Sequence, residues 1–207
     1  MKELTTTSYA VLGLLALKPW SGYELSQQMK RSMTFIWPRA ERAIYDEPKH
    51  LVAHGLVKAA SEPTGNRPRT TYRITAKGRR ALAAWLEQPS SPPAFESEAL
   101  VRATFAEYGD KDALLRAISS LREHADQLLA GAESVAASYL DGTAPFPERE
   151  HIVALNGRFI LDYIAMVRRW TAWATSVVEG WSDTGSPAVW PEALGEFRRA
   201  LGAARDS

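Results

Sequence analysis

The chain has 207 residues, 45% of them hydrophobic, which is enough for one large domain or two small ones with buried cores. The absence of cysteine excludes a disulfide framework, a thiolate metal site and a cysteine nucleophile. No apolar run approaches the ~20 residues that a membrane span needs, and the start, MKELTTTSYAVLGLLALKPW, lacks the features of a secretory signal. We therefore expect a cytoplasmic protein with no membrane partner.

Charge is divided unevenly along the chain. Up to Leu86 there are 14 lysines and arginines against 6 acids, a net +8, whereas the remainder has 11 against 18, a net −7. The stretch GNRPRTTYRITAKGRR, residues 65–80, holds six cations and no acid. This asymmetry predicts that the first part meets a polyanion, and an uneven division without functional meaning is the alternative.

A segment rich in proline and serine, QPSSPPAFES (88–97), separates two strongly patterned regions. It predicts a linker at 88–97, with one domain at 1–87 and a second at 98–207.

The first region opens with two predicted helices. The apolar run YAVLGLLALKPW predicts a buried helix that Thr7 or Ser8 caps. Ser21 and Glu24 have the spacing of a capping box, so the second helix begins at about Ser21.

A third helix is predicted within WPRAERAIYDEPKHLVAHGLV, residues 37–57, beginning at Pro38 and ending at Gly55. Pro48 removes the hydrogen bond to the Ile44 carbonyl. In a regular helix this change is destabilising by about 3 kcal/mol. We expect either a kink or a break after which Pro48 starts a new turn.

The spacing of the apolar residues then changes from that of a helix to every second residue, the period of a β-strand. LVKAAS (56–61) and RTTYRIT (69–75) predict two strands joined by a turn rich in proline and glycine. Alternation along the second strand places Thr70, Tyr72 and Ile74 on one face, with Arg69, Thr71 and Arg73 on the other. Thr75 is expected to cap a fourth helix.

Three helices followed by a hairpin is the order of a winged helix-turn-helix, in which the third helix enters the DNA major groove and the hairpin, or wing, reaches the backbone. Arg67, Arg69 and Arg73 would then neutralise phosphates. Arg39 and Arg42 would reach guanine edges, with Tyr45 and Lys49 on base or backbone. An ordinary solvated basic face is the alternative.

The motifs VLGLLALKPWSGYEL, FIWPRAERAIYDEPKHL, HGLV and GNRPRTTYRITAKG resemble those of the PadR family of bacterial transcriptional regulators. The resemblance covers roughly residues 9–86. It implies DNA contacts from Tyr23 and Tyr45 and wing cations at Arg67 and Arg69, and we include Ser21 in the DNA-binding set. The sequence departs from the family pattern at Pro48 and at the inserted Asn66.

The acidic region is predicted to form long helices. Leu114, Ile118, Leu121, Ala125, Leu128, Ala132, Val135 and Tyr139 alternate spacings of four and three, the pattern of a coiled-coil seam. Ile152, Leu155, Phe159, Met166, Trp170, Trp173 and Val177 continue a similar pattern, and Leu194, Phe197 and Leu201 mark a short last helix.

Two such stripes exceed what a small domain buries internally, so we expect a homodimer, as the resemblance also implies. The residues expected to form it are Leu114, Ile118, Leu121, Leu128, Leu155, Phe159 and Met166. An intramolecular antiparallel bundle is the alternative. The predicted fold is thus mostly α with a small β-hairpin: an N-terminal winged helix-turn-helix and a C-terminal antiparallel long-helix, coiled-coil-like dimerisation domain.

The tryptophans on the second long helix raise the question of an effector. Relatives in the resembled family sense small molecules near such residues, which makes Trp170 and Trp173 ligand candidates, although aromatic residues at helical spacing also form cores. The effector, if there is one, is unknown.

Catalytic and metal chemistry find no support in the sequence. His50 and His54 are four apart, but HLVAH lacks the glutamate of a zinc protease, and we expect both on the helix surface. No phosphate loop or nucleophile elbow is present. We expect no enzyme, no cofactor and no metal.

The sequence therefore predicts a DNA-binding regulator that occupies a palindrome in double-stranded DNA as a homodimer and is released by a small molecule. Repression follows from the resemblance alone. The alternatives are a nucleic-acid-binding adaptor without sequence specificity, whose acidic half binds a protein partner, and a pure assembly module.

Overall fold

A computed structural model of the chain describes residues 3–33, 35–38, 45–64 and 67–205, with side chains outside 62–69 and 187. The chain divides into two compact units, Met1–Pro93 and Ala94–Ser207. No helix within the described ranges is long and apolar enough to cross a membrane.

The first unit contains four described helices and a three-stranded antiparallel sheet. The helices are α1 (Thr6–Leu17), α2 (Gly22–Met33), α3 (Glu47–Ala53) and α4 (Ala76–Leu86). The strands are β1 (Trp20–Ser21), β2 (Val57–Thr64) and β3 (Arg67–Ile74), in the order β1-β3-β2. The predicted hairpin is confirmed as β2 and β3. The two-residue strand β1, which pairs Trp20 with Tyr72, was not predicted.

Helix α1 is the centre of this unit, because it contacts α2, α3, α4 and β3. Its apolar run is buried as the sequence predicts, but the helix begins earlier than expected. Thr5, and neither Thr7 nor Ser8, is the N-cap residue, with Ser8 as the reciprocal partner of a capping box. The buried core includes Val11, Leu12, Leu14, Leu15, Trp20, Leu25, Met29, Leu51, Leu56, Val57 and Tyr72.

Pro48 lies in the first turn of α3, which begins at Glu47. Of the two outcomes expected at this proline, a new turn is therefore the one observed, because a missing N–H in a first turn leaves no hydrogen bond unmade. The helix ends where predicted, since Gly55 takes a φ of +71°, in the left-handed region that favours glycine.

The second unit is helical. It contains α5 (Glu98–Thr104), α6 (Lys111–Leu140), α7 (Glu150–Glu179) and α8 (Ala193–Arg205), with short 3-10 turns at Ala106–Tyr108, Pro147–Arg149 and Pro187–Val189. Leu114 and Ile118 pack with Ala174 and Val178, whereas Ala125 packs with Ile164 and Val167. Since higher numbers on α6 meet lower numbers on α7, the two long helices run antiparallel.

Helix α7 has two apolar stripes. The inner stripe (Ile160, Ile164, Val167, Thr171, Ala174 and Val178) faces α6. The outer stripe (Ile152, Leu155, Phe159, Met166 and Trp173) is exposed. Neighbouring members of the two stripes, such as Phe159 and Ile160, are consecutive residues, so their side chains point about 100° apart around the helix axis.

The seam predicted along α6 therefore finds its partner within the chain. Leu114 and Ile118 are buried against α7, and Leu121 and Leu128 are partly buried there. The short connection, residues 141–149, returns the chain antiparallel and brings the two stripes together. These four residues accordingly offer little surface to a second copy, unlike Leu155, Phe159 and Met166, which are exposed.

Candidate nucleic-acid interface

The start of α2 fixes the position of Tyr23. The Ser21 backbone N–H and hydroxyl both donate to Glu24 Oε2 at 2.9 Å, and the Glu24 N–H donates back to Ser21 Oγ at 3.3 Å. This is the predicted capping box, and it leaves Ser21 buried and its hydroxyl engaged. Tyr23, by contrast, is 69% exposed at the first turn of the helix.

Tyr45 lies beside the same helix. The hydroxyl of the buried Ser26 donates to Tyr45 Oη at 3.4 Å, while 62% of Tyr45 remains exposed. Ser26 is one helical turn beyond Tyr23. The fold thus places the two tyrosines expected to contact DNA along the N-terminal half of α2, although they are 22 positions apart in the sequence.

Lys49 adds a positive charge in this region. It lies on α3 with its Nζ 3.5 Å from Asp46 Oδ1, and both side chains are largely exposed. An ion pair this open is weak in water, so the lysine can exchange its partner for a phosphate at little cost. Arg39 and Arg42, expected to read bases, lie outside the described residues.

The wing presents cations from both of its strands. The register pairs Lys58 on β2 with Arg73 on β3, and both side chains are exposed. Directly opposed residues of an antiparallel pair lie on the same face of the sheet. Tyr72, on the other face, is buried, so the expected division of β3 into a packed and an outward face is confirmed at these positions.

Lys58 was missed by the sequence reasoning. A single strand pattern does not reveal which residue opposes Arg73, because that depends on the register and hence on the length of the turn. Arg67 and Arg69 lie on β3, and the register places Glu62 opposite Arg69. The side chains of these arginines lie outside the described ones.

Two contacts join the first turn of α1 to the residues on either side of Arg39 and Arg42. Trp37 Nε1 donates to Thr7 Oγ1 at 2.9 Å, and Ser8 Oγ donates to Glu47 Oε1 at 2.5 Å. Glu47 Oε1 also lies 3.1 Å from His50 Nδ1. Acceptors on α1 and α3 therefore hold both ends of the segment expected to read bases.

His50, on α3, and His54, its C-cap residue, contact each other. His50 Nε2 lies 3.0 Å from His54 Nε2, and only 18% of the His50 side chain is exposed. Both histidines are intermediate in burial, and His50 Nδ1 contacts the buried carboxyl group of Glu47. No group of three or more metal-ligating side chains occurs among the residues with described positions.

In the second unit, the two candidate ligand residues belong to a larger aromatic cluster. Trp170 and Trp173 have ring centroids 6.5 Å apart, and Trp190 lies 6.0 Å from both Trp173 and Trp181. Trp170 also packs on the core formed by Leu114, Ile118, Ala174 and Val178. The buried Trp181 Nε1 has no hydrogen-bond partner among the described atoms. The cluster is thus partly core, as the alternative interpretation held.

Comparison with known proteins finds relatives of this chain. Residues 11–84 match the model of the transcriptional regulator PadR-like family. A probable transcriptional regulator of Mycobacterium tuberculosis is 29% identical over 125 residues, covering 55% of this chain and 66% of that protein. The negative transcriptional regulator PadR of Bacillus subtilis is 29% identical over 147 residues, covering 64% of this chain and 80% of its own.

Solved structures share the fold at lower identity. A PadR-like transcriptional regulator of Bacillus cereus superposes with a TM-score of 0.71 at 19% identity, covering 84% of this chain and 98% of that one. Bacillus subtilis PadR in complex with operator DNA superposes with a TM-score of 0.60 at 20% identity, covering 82% and 99%.

The structural matches agree with the overall arrangement of helices and sheet described above. The family consists of transcriptional regulators, which are not enzymes. Residues 11–84 thus match the PadR-like family of transcriptional regulators, and the chain is similar in sequence and fold to regulators of that family.

Proposed function

We propose that the chain is a cytoplasmic, sequence-specific DNA-binding repressor that occupies a promoter palindrome as a homodimer. The proposal assigns DNA binding to residues 1–87, pairing to residues 98–207 and the linker to residues 88–97. The observation that carries it is the exposure of both Tyr23 and Tyr45 along the N-terminal half of α2.

The chemistry of the first unit suits a duplex. Tyr23, Tyr45 and Lys49 are exposed where a winged helix-turn-helix presents its reading elements, and Lys58 and Arg73 are exposed on the wing. Lysine and arginine would neutralise phosphates, whereas Arg39 and Arg42 would supply the contacts to guanine. The operator complex of Bacillus subtilis PadR, which has the same fold, supports this assignment. That relative's description as a negative regulator supports repression.

The outer stripe of α7 supports pairing with a second copy. Phe159 is 69% exposed although it is a large apolar side chain, and Leu155 and Met166 are exposed beside it. Ile152, Leu155, Phe159, Met166 and Trp173 occupy a and d positions of one heptad frame, so an identical helix offers a matching surface. A two-fold dimer would present its two reading elements to half-sites ~34–36 Å apart or a multiple of that distance.

Release by a small molecule is the remaining part of the proposal. The aromatic cluster (Trp170, Trp173, Trp181 and Trp190) offers flat apolar surfaces and the unpaired Trp181 N–H as a donor. An aromatic compound with an acceptor atom would match both features. By favouring one packing of the helices over another, it would lower affinity for the operator.

The test is fluorescence anisotropy of the full chain on a duplex from upstream of its own gene, against a scrambled duplex of equal length, at several salt concentrations. We expect tight, salt-sensitive binding with a preference of ~10³ or more for the native duplex. Equal binding to both duplexes would contradict sequence specificity and favour the adaptor alternative. No binding at low salt would contradict DNA binding by this chain.

A further inference from the structure

The first turn of α1 holds both ends of one segment. Thr7 accepts from Trp37 Nε1 at 2.9 Å, and its neighbour Ser8 donates to Glu47 Oε1 at 2.5 Å. Between Trp37 and Glu47 lie the arginines that the proposed function assigns to base edges, together with Tyr45. Two consecutive hydroxyls of α1 therefore fix the entrance and the exit of the reading segment.

Ser8 both accepts and donates a hydrogen bond in this arrangement. It is fully buried, and its Oγ accepts from the Thr5 backbone N–H at 2.9 Å while donating its one proton to Glu47. The cap of α1 and the anchor of α3 thus share one oxygen atom. A small shift of the N-terminus of α1 would therefore move the hydroxyl group that holds Glu47.

Glu47 is an unfavourable residue to bury here without partners. It is only 5% exposed, and a buried carboxyl group is destabilising unless donors surround it. Ser8 Oγ and His50 Nδ1 both lie within hydrogen-bonding distance of its Oε1, and the group sits in the first turn of α3, where negative charge is favoured. An apolar side chain would satisfy packing more simply, whereas a doubly held carboxyl group specifies one geometry.

We propose that Ser8 and Glu47, together with Thr7, are positioning residues for sequence discrimination, which set where the reading segment lies without touching DNA themselves. The inference rests on the proposed function. Base edges are read by hydrogen bonds that tolerate little displacement, whereas phosphate contacts from long cationic side chains tolerate more. Loosening the anchor should therefore reduce preference for the operator while leaving affinity for other DNA nearly unchanged.

The experiment first uses the wild-type chain to select its preferred sequence from a library of random duplexes. Anisotropy then gives the ratio of affinities for the selected duplex and its scramble in Ser8→Ala, Glu47→Ala, Glu47→Gln and Thr7→Val. Thr5→Ala is the matched control, because it removes the cap from the same turn at an exposed residue and leaves Ser8 and Glu47 in place. Each chain is measured at a temperature at which circular dichroism shows it folded.

We expect Ser8→Ala and Glu47→Ala to lower the ratio by about tenfold or more, with scramble affinity and salt slope unchanged. Glu47→Gln retains an acceptor oxygen for Ser8 and should keep most of the ratio, as should Thr5→Ala. If Ser8→Ala or Glu47→Ala does not fold, the nearly isosteric Thr7→Val decides, and it should lower the ratio too.

Three outcomes would overturn the inference. Unchanged ratios in the anchor variants would show that the anchors are only structural. An equal loss in Thr5→Ala would assign the effect to the stability of α1. If the wild-type chain enriched no sequence at all, the proposed function would fail and this inference with it, which separates the two failures.

Discussion

The α-carbon of Gly78 lies so close to the backbone of Leu56 that a β-carbon there would come within 2.2 Å of the Leu56 carbonyl oxygen. The same carbonyl accepts from the Thr75 N–H at 2.9 Å, and the Thr75 hydroxyl caps α4 by accepting from the Gly78 N–H at 3.0 Å. The entrance of the wing and the start of α4 therefore meet in van der Waals contact, with no room for a side chain.

Replacing Gly78 by alanine should destabilise the first unit by about 1–3 kcal/mol, because the obstructing atom belongs to a hydrogen-bonded backbone and cannot move away easily. Gly13→Ala is the matched control. Gly13 lies within α1, and outside the adjoining residues and backbone of that helix no described atom lies within 4 Å of the position that the new methyl group would take, so this change should be neutral or stabilise by up to about 1 kcal/mol. Urea denaturation of both variants measures the difference, and equal effects would contradict the close approach.

Removing the two described wing cations should weaken binding to every DNA sequence. For Lys58→Ala with Arg73→Ala, we expect the slope of log affinity against log salt to fall by about 1.8, since each lost phosphate contact contributes ~0.9. Arg116→Ala serves as the control, because it removes an exposed cation from the second unit. Anisotropy at several salt concentrations gives the slopes, and a change confined to one operator position would instead indicate base reading by these residues.

Pairing through the outer stripe predicts that Phe159→Lys separates the dimer without unfolding the chain, since the side chain is already largely exposed. Loss of a central aromatic contact should weaken self-association by about 2 kcal/mol or more, roughly thirtyfold. Leu140→Lys is the control, because Leu140 is also apolar and exposed but lies at the end of α6. Sedimentation equilibrium distinguishes the variants. A dimer that survives Phe159→Lys would place the interface elsewhere.

A pH effect is expected at the turn that leads to Trp190. The Ser186 and Gly185 backbone N–H groups donate to Asp183 Oδ1 at 2.7 and 2.9 Å and hold the pKa of this carboxyl below its ordinary value of 3.8. Because the folded-state pKa is depressed, the stabilisation is present above the ordinary pKa and is lost as the pH falls through the folded value. Trp190 should then loosen from Trp173 and Trp181, which shifts tryptophan emission to the red.

Asp183→Ala should show the shifted emission at neutral pH and lack the acid step. Asp141→Ala is matched to it, because the Thr143 hydroxyl and N–H lower the pKa of the Asp141 carboxyl in a comparable turn that precedes α7. It should retain the acid step. An unchanged acid step in Asp183→Ala would assign the emission change to another group.

Local signals in the sequence predicted the local structure well. Ser21 with Glu24, Thr75 before α4 and Gly55 after α3 each act through hydrogen bonds or backbone angles within a few residues, so their spacing is sufficient to place them. The two-residue strand β1 has no pattern of its own and exists only because Trp20 and Ser21 pair with Tyr72 and Thr71. Such long-range pairing leaves no trace at the residues themselves.

The identity of a helix's partner was harder to predict. A heptad pattern marks Leu114 and Ile118 as buried but does not say whether a second helix of the same chain or another copy covers them. Glu47 was missed for a different reason, since an isolated glutamate in a polar segment is typical of a solvated surface. Only the fold shows that Ser8 and His50 converge on it.

Because α7 carries its inner and outer stripes side by side on one rigid cylinder, neither stripe can turn without the other. A rotation of this helix by a few tens of degrees, enough to reseat Ile164 and Val167 against α6, would sweep Leu155 and Phe159 through the same angle. In the proposed dimer, a change in how α7 packs against α6 would therefore also displace the exposed stripe that contacts the second copy, and so couple the interior of one protomer to the interface.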